Sequence, residues 1–309
     1  MKQILSYAAL VCGVLFLSTS AIFVKLAEAP SAITAFYRLF FALVILIPAV
    51  VLSPQRRQEL KALPVKRWVM SIASGVLLGI HYILWFESLR FTSVASSTVL
   101  VTLQPLFTIL FSFVVLHQKQ TKLGMIGCAI ALAGSFLIGW GDFQVGREAF
   151  FGDLLALLAA ALISLYFFIG QFVRQDTSAT VYSVLGYGGS VLFLLVYALV
   201  RGERFFGYSA QTWGAFLGLA FVSTILGQFV FNLLLKWLPA TSISMSILGE
   251  PVGTCILAYF FLQERIGLRQ GVGMAIILGG LGVYFLAKPL EEGRKRLHSV
   301  EKGNSSTRG

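Results

Sequence analysis

Charge is scarce in this chain of 309 residues: Asp, Glu, Lys and Arg together make up 12%. Soluble globular domains carry roughly twice that share. A soluble fold this poor in charge lacks the polar groups to cover its own surface, so lipid has to be the solvent for much of it. Cysteine and histidine are also rare, three of each. Cys12, Cys128 and Cys255 all lie inside apolar runs without metal-ligand spacing. That excludes a disulfide framework and leaves them as small packing residues. No metal, no cofactor and no nucleotide-binding loop is implied. Carboxylates number 13 against 24 basic side chains, a net charge of +11. The basic residues sit between apolar runs rather than in one patch, so they report membrane orientation and not a nucleic-acid partner. Long polar stretches are missing too, apart from residues 288–309, rich in Glu, Lys, Arg and Ser. That segment is expected to be a disordered cytosolic tail.

Apolar residues are abundant instead: 57% are hydrophobic and the mean hydropathy is +0.84. A transmembrane helix needs about 20 apolar residues at 1.5 Å rise to cross about 30 Å of hydrocarbon. Ten runs meet that length, near 4–24, 33–52, 68–87, 94–116, 123–141, 153–173, 179–200, 211–235, 240–262 and 268–287. They are expected to be helices, because a lone strand leaves its backbone unsatisfied in lipid. The first run follows Lys2 but lacks a small-x-small cleavage site, so it reads as a retained anchor.

With the N-terminus in the cytosol, the inner segments of the first half hold Lys2, Arg56, Arg57, Lys61, Lys66, Arg67, Lys119 and Lys122. The outer loops of that half hold Lys25 and Arg90. In the second half Arg174 and Lys236 fall inside while Arg201, Arg204, Arg265 and Arg269 fall outside, and the basic tail tips the balance inward. Both termini are therefore expected to be cytosolic, in the inner membrane of the cell.

The chain also repeats. A shift of 145 residues brings Trp68 onto Trp213, Phe86 onto Phe231 and Ala95 onto Ala240. A shift of 146 brings Pro105 onto Pro251, Leu116 onto Leu262, Gly127 onto Gly273 and Gly134 onto Gly280. Runs 3–5 recur as runs 8–10, and the match of runs 1–2 with 6–7 is weaker. A repeat with an odd number of spans re-enters the membrane upside down. The expected fold is thus an all-α membrane protein of ten transmembrane helices in two inverted five-helix repeats, about 4–141 and about 153–287, in a single domain over 1–287. Carriers of this architecture bind their solute near the midplane, between the halves.

Ionisable groups inside a membrane are costly, about 2.5–3.5 kcal/mol on insertion scales, and are functional candidates by default. Glu250 is the one carboxylate near the centre of a run, and its repeat mate is Gln104. Each precedes a proline, Pro251 and Pro105, which removes a helical hydrogen bond, kinks the helix and frees the carbonyl of Ile247 or Val101. Glu250 can bind a cationic group or exchange a proton for it. Thr224, Gln228, Asn232 and Lys236 recur every four residues and form one polar stripe, lining either a cavity or an interhelical seam, with Lys236 as an interfacial anchor. His81, Tyr82 and Trp85 lie in the third run; His81 is either a proton carrier or a packing residue. Arg38 is a buried charge in want of a partner, and Glu87 at the outer end of run 3 is the candidate to form an outer gate with it. Gly75 and Gly79, and Gly214 and Gly218, have the spacing that lets helices pack closely or slide.

The stretch WFESLRFTSVASSTVLVTLQPLF from Trp85 to Phe107 and its counterpart FNLLLKWLPATSISMSILGEPVG from Phe231 to Gly253 resemble the drug/metabolite transporter superfamily, in its ten-span EamA-type branch. The resemblance extends nearly to Ala287. It implies that helices 1–4 and 6–9 surround a central cavity, with helices 5 and 10 to the side. The family's acidic residue after the ninth helix is Glu264 here, and Gln118 stands at the matching place of the first repeat. Proteins similar to this one export amino acids, metabolites or drugs, driven by protons or downhill. The expectation is a secondary carrier working by alternating access, an exporter of amino acids or related metabolites, monomeric or weakly dimeric, with a small-molecule substrate and the lipid bilayer as its surroundings. An organic-cation exporter or an importer of the same fold is the nearer alternative; an integral-membrane enzyme or a non-transporting sensor is the more distant one.

Overall fold

The computed structural model describes residues 2–92, 94–139, 146–262 and 266–306. Among the described residues every regular element is helical. Nine stretches are long and apolar enough to cross a membrane: Leu5–Leu26, Ser31–Val51, Val65–Phe91, Ser96–Leu116, Arg147–Val173, Ala179–Val200, Ala210–Leu234, Ala240–Phe261 and Leu268–Ala287. A shorter apolar helix, Lys122–Ile138, stands fifth in chain order and completes ten spans. Span 10 belongs to a longer helix, Leu268–Ser306, whose backbone continues past Ala287 into the segment expected to be a disordered tail. The side chains beyond residue 287 lie outside the described residues, as does Glu264.

Spans 3 and 6 begin earlier than the apolar runs suggest, at Val65 and Arg147. Helical hydrogen bonding continues there through polar turns that a hydropathy boundary leaves out. Between spans 2 and 3 lies a short helix, Pro54–Ala62. The Ser53 hydroxyl accepts from the Arg56 amide, and Pro54 sits in the first turn where its missing N–H does no harm.

Four spans are interrupted. Span 4 breaks between Val94–Val101 and Gln104–Leu116, and span 9 between Ala240–Ile247 and Glu250–Leu262. Pro105 and Pro251 cause both breaks, because neither can donate to the carbonyl four residues back. Span 1 changes helix at Thr19, and span 8 passes through a π-helical segment, Leu219–Gln228, where the Thr224 hydroxyl donates to the Leu219 carbonyl five residues back.

Packing follows the repeat. Span 3 packs on spans 6 and 7, and span 8 packs on spans 1 and 2. Span 4 packs on span 6, and span 9 on span 1. Exchanging 1 with 6, 2 with 7, 3 with 8 and 4 with 9 maps each contact onto its mate. The contacts of span 2 with 7 and of span 5 with 10 map onto themselves, as an inverted repeat requires. Spans 5 and 10 pack along each other, beside the bundle formed by the other eight. They approach closely at Gly127 and Gly134, where a Cβ would meet the carbonyls of Gly280 and Gly273 at 2.7 Å. Since Gly127 is the mate of Gly273 and Gly134 of Gly280, these four glycines lie around the pseudo-two-fold axis.

Candidate functional site

The two proline breaks meet at an internal cavity. Gln104 and Glu250 both line it, together with Arg38, His81, Tyr82 and Trp85. Gln228 and Thr102 add polar groups; Leu17, Val101, Ile163, Phe167 and Ile247 supply apolar wall. Its water-accessible volume is about 40 Å³, room for about three waters. Polar side chains thus converge where lipid cannot satisfy them, from spans 2, 3, 4, 8 and 9.

Both breaks are braced in the same way. The Ser164 hydroxyl of span 6 donates to the Gln104 carbonyl at 2.7 Å, shared with the Ala160 carbonyl. The Ser18 hydroxyl of span 1 donates to the Glu250 carbonyl at 3.1 Å, shared with the Val14 carbonyl. The spacings agree: 164 − 18 = 146 and 250 − 104 = 146. The repeat is therefore written in spans 1 and 6 as well, where sequence identity alone is weak.

Arg38 is wholly buried. Its Nε donates to the Thr224 hydroxyl at 3.0 Å and its Nη1 to the Ser20 hydroxyl at 2.7 Å. The guanidinium carbon sits 4.4 Å from the centre of the Tyr82 ring, in cation–π geometry. Its Nη2 has no hydrogen-bond partner, and the same is true of Trp85 Nε1 and Gln228 Nε2. Among the described residues no carboxylate forms an ion pair with Arg38. The expected Arg38–Glu87 gate does not form. Glu87 instead pairs with Arg90 one turn away, at 3.2 Å. Charge complementarity alone pointed to Glu87, but the hydroxyls of Thr224 and Ser20 lie within reach of the guanidinium and take two of its donor nitrogens.

His81 Nδ1 donates to the Ala159 carbonyl of span 6 at 2.9 Å, which in the neutral ring leaves Nε2 as the acceptor. Its ring lies 6.1 Å from the Trp85 ring, nearly parallel. The stripe on span 8 splits into three environments. Thr224 holds Arg38, Gln228 reaches the cavity, and Asn232 does not line it. Asn232 accepts from the Tyr166 hydroxyl at 2.8 Å and donates to the Ser183 hydroxyl at 3.0 Å, a seam with spans 6 and 7. Four residues carry it about 6 Å farther along the helix, past the cavity floor. Lys236 is exposed beside Trp237 at the end of span 8, the placement of an interfacial anchor.

Several contributors escaped sequence reasoning. Ser20 has no charge to draw attention, yet it orients Arg38. Asp153, in the second turn of span 6, accepts from the hydroxyls of Thr92 at 2.8 Å and Ser96 at 2.7 Å, tying span 6 to the connection between spans 3 and 4. The Ser18–Ser164 spacing was the one available signal for the kink braces.

The two ends of the bundle differ. At the end carrying the connections 1–2 and 3–4 lies a vestibule with a water-accessible volume of about 550 Å³, lined by Lys25, Pro30, Thr34, Trp85, Arg90 and Thr98 among others. Trp85 is common to the walls of vestibule and inner cavity. The opposite end is tied across the halves. Arg67 pairs with Asp176 at 2.6 Å, and the Glu59 carboxylate accepts from the Ser178 amide. On the same face Arg174, almost fully buried, makes its bonds within the second half, donating to the Asn232 carbonyl at 2.7 Å and to the Thr177 carbonyl.

An inverted-repeat helical bundle with a polar midplane cavity and unequally open ends is the architecture of a membrane carrier. The family described as EamA-like transporter family matches residues 4–140 and again 150–286. The two matches are offset by 150 − 4 = 146, the same spacing as Gln104 and Glu250. The chain belongs to this family. It is 25% identical over 297 residues to the uncharacterized transporter YetK of Bacillus subtilis (strain 168), covering 93% of this chain and 88% of that one. It is 23% identical over 285 residues to an uncharacterized transporter of Clostridium kluyveri, covering 89% and 91%. A protein solved by crystallography matches with a TM-score of 0.76 at 20% identity, over 93% of this chain and 98% of that one, a likeness of fold. The protein is a multi-pass integral membrane transporter.

Proposed function

We propose that this protein is a secondary carrier of the cell's inner membrane that exports amino acids or related metabolites by alternating access, trading a proton at Glu250. It has no enzymatic role in this reading, and its termini are cytosolic. The observation that carries the proposal is the meeting of two repeat-related kinks, at Gln104 and Glu250, on the wall of one polar cavity. Each kink is a place where one half can flex against the other, and the groups it exposes have no function in a purely structural seam. Eight basic residues against two in the first half support the orientation. In that orientation the 550 Å³ vestibule faces outward and the tied end faces the cytosol. The opposite state would open the Arg67–Asp176 end, admit solute from the cytosol, and close the vestibule over Trp85.

Purified protein in liposomes, tested with a panel of labelled amino acids under an imposed pH gradient, checks this. Glu250→Gln should leave the protein folded and lower gradient-driven flux by at least about tenfold, the effect of losing about 1.4 kcal/mol of coupling. Unchanged rate and pH dependence in that variant would remove Glu250 from the mechanism. Absence of flux for every solute would overturn the carrier itself.

A further inference from the structure

The connection between spans 2 and 3 carries more positive charge than its contacts use. Its helix, Pro54–Ala62, lies between Leu52, 79% exposed, and Val65, 77% exposed. Apolar side chains this open belong in hydrocarbon, so the helix between them stands at the depth of the lipid headgroups. One face of the helix is fastened to the bundle. Leu60 and Leu63 pack against Val50, Val181 and Leu185, and the Glu59 carboxylate accepts from the Ser178 amide, just before span 7. Two of the five basic residues nearby are also engaged: Arg56 Nη1 donates to the Ala49 carbonyl at 2.8 Å, and Arg67 pairs with Asp176. Arg57, Lys61 and Lys66 remain, all exposed, and among the described residues no carboxylate forms an ion pair with any of them. Arg57 and Lys61 are four residues apart, neighbours about 6 Å from each other on the helix surface, where like charges repel. Duplication does not call for this charge. Under the shift that pairs Trp68 with Trp213, the three cations fall on Gly202, Phe206 and Gln211.

We propose that Arg57, Lys61 and Lys66 bind the headgroup phosphate of an anionic phospholipid, and that a lipid held there steadies the start of span 7 through Glu59. A juxtamembrane cluster of four to eight basic residues attracts anionic headgroups, and residues 56–67 hold five. A phosphodiester brings one negative charge and oxygens that accept charge-assisted hydrogen bonds, which turns the Arg57–Lys61 repulsion into shared attraction. The occupant is a lipid and not a free anion because the cations are flanked by Leu52 and Val65, which meet acyl chain where the cations meet phosphate. In the orientation proposed above the lipid comes from the cytosolic leaflet, where anionic lipids give a negative surface. Glu59 is two residues from both Arg57 and Lys61, hence about 160° around the helix from each. One face of the helix would therefore hold the lipid while the other holds the Ser178 amide.

The test titrates the purified full-length protein in neutral detergent with phosphatidylglycerol or with phosphatidylcholine and follows its melting. Phosphatidylglycerol should raise the melting temperature saturably, and phosphatidylcholine should not. Arg57→Gln combined with Lys61→Gln should raise the half-saturating concentration about 25-fold, about fivefold for each cation removed. Lys66→Gln alone should raise it about fivefold, and it still decides if the double variant fails to fold. Lys119→Gln combined with Lys122→Gln takes the same charge from another connection at this end of the bundle and should change nothing. In amide exchange, phosphatidylglycerol should slow the peptide containing Ser178 several-fold in the parent protein and not in Glu59→Ala. The site is overturned if phosphatidylcholine stabilises as well as phosphatidylglycerol, or if the two double variants weaken binding equally, which would mean diffuse attraction. It is overturned as a lipid site if soluble glycerol phosphate saturates the same shift at the same concentration. Lipid binding without slower exchange at Ser178 would sink the link through Glu59. None of these readouts depends on transport, so the carrier reading stands or falls separately.

Discussion

At the scale of single residues, a hydroxyl at the right depth does the work that charge was expected to do. Ser18 and Ser164 hold the carbonyls of Glu250 and Gln104, and both are wholly buried. Interhelical hydrogen bonds in membranes are worth about 0.6 kcal/mol on average. Ser18→Ala and Ser164→Ala should therefore each destabilise by about 0.6 kcal/mol, and by equal amounts, since each removes one brace from one of two related kinks. Unfolding in mixed micelles would show it, and a brace that costs nothing on one side only would mean that the two kinks are held differently. The pair was legible in principle, because 146 separates the two serines as it separates the prolines. It was hidden because serine is a common residue and spans 1 and 6 share few identities. Arg38 shows the opposite failure. Its burial was legible from its position in an apolar run, but its partners Thr224 and Ser20 were not, because nothing in sequence ranks a hydroxyl above a carboxylate without knowing distances.

At the scale of helices, proline marks where spans 4 and 9 break, and those breaks were readable residue by residue. The π segment Leu219–Gln228 was not, since no proline or unusual run announces it. Assuming a uniform α-helix joined Thr224, Gln228 and Asn232 into one stripe, whereas the folded helix divides them among Arg38, the cavity and the Tyr166 seam. Glycine spacing was equally ambiguous. A methyl group on Gly75 would overlap the Gly186 carbonyl of span 7, while at Gly214 a methyl would meet nothing within 4 Å. Gly75→Ala should force spans 3 and 7 apart and destabilise by about 1–3 kcal/mol, the range for overpacking. Gly214→Ala should stabilise by about 0.5–1 kcal/mol through helix propensity. The two substitutions are identical in chemistry and in spacing context. Equal melting shifts in detergent would show that the close contact of spans 3 and 7 is not maintained.

At the scale of the whole molecule, the proposed alternating access asks duplication to make two conformations nearly equivalent, with the residues at the two ends deciding between them. The end holding Arg67, Asp176 and Glu59 is shut by contacts that cross between the halves, while the end holding Lys25 and Arg90 is hollow. The Arg67–Asp176 pair is partly exposed, with side chains 23% and 59% accessible, so it contributes at most about 1 kcal/mol. That is a switch and not a staple: Arg67→Ala should leave the fold intact and shift the balance toward the state open at that end by up to about fivefold. Locking the end shut tests the cycle directly. In a variant with Cys12, Cys128 and Cys255 replaced, cysteines at positions 67 and 176 joined by a short reducible bis-thiol reagent should stop flux. Cleaving the link should restore it, with the singly substituted proteins unaffected by the reagent. A cross-linked protein that carries solute at the uncross-linked rate would show that this end never opens. The proposed path through Gln104 and Glu250 would then have no door at this end, where Glu59 also bridges the halves.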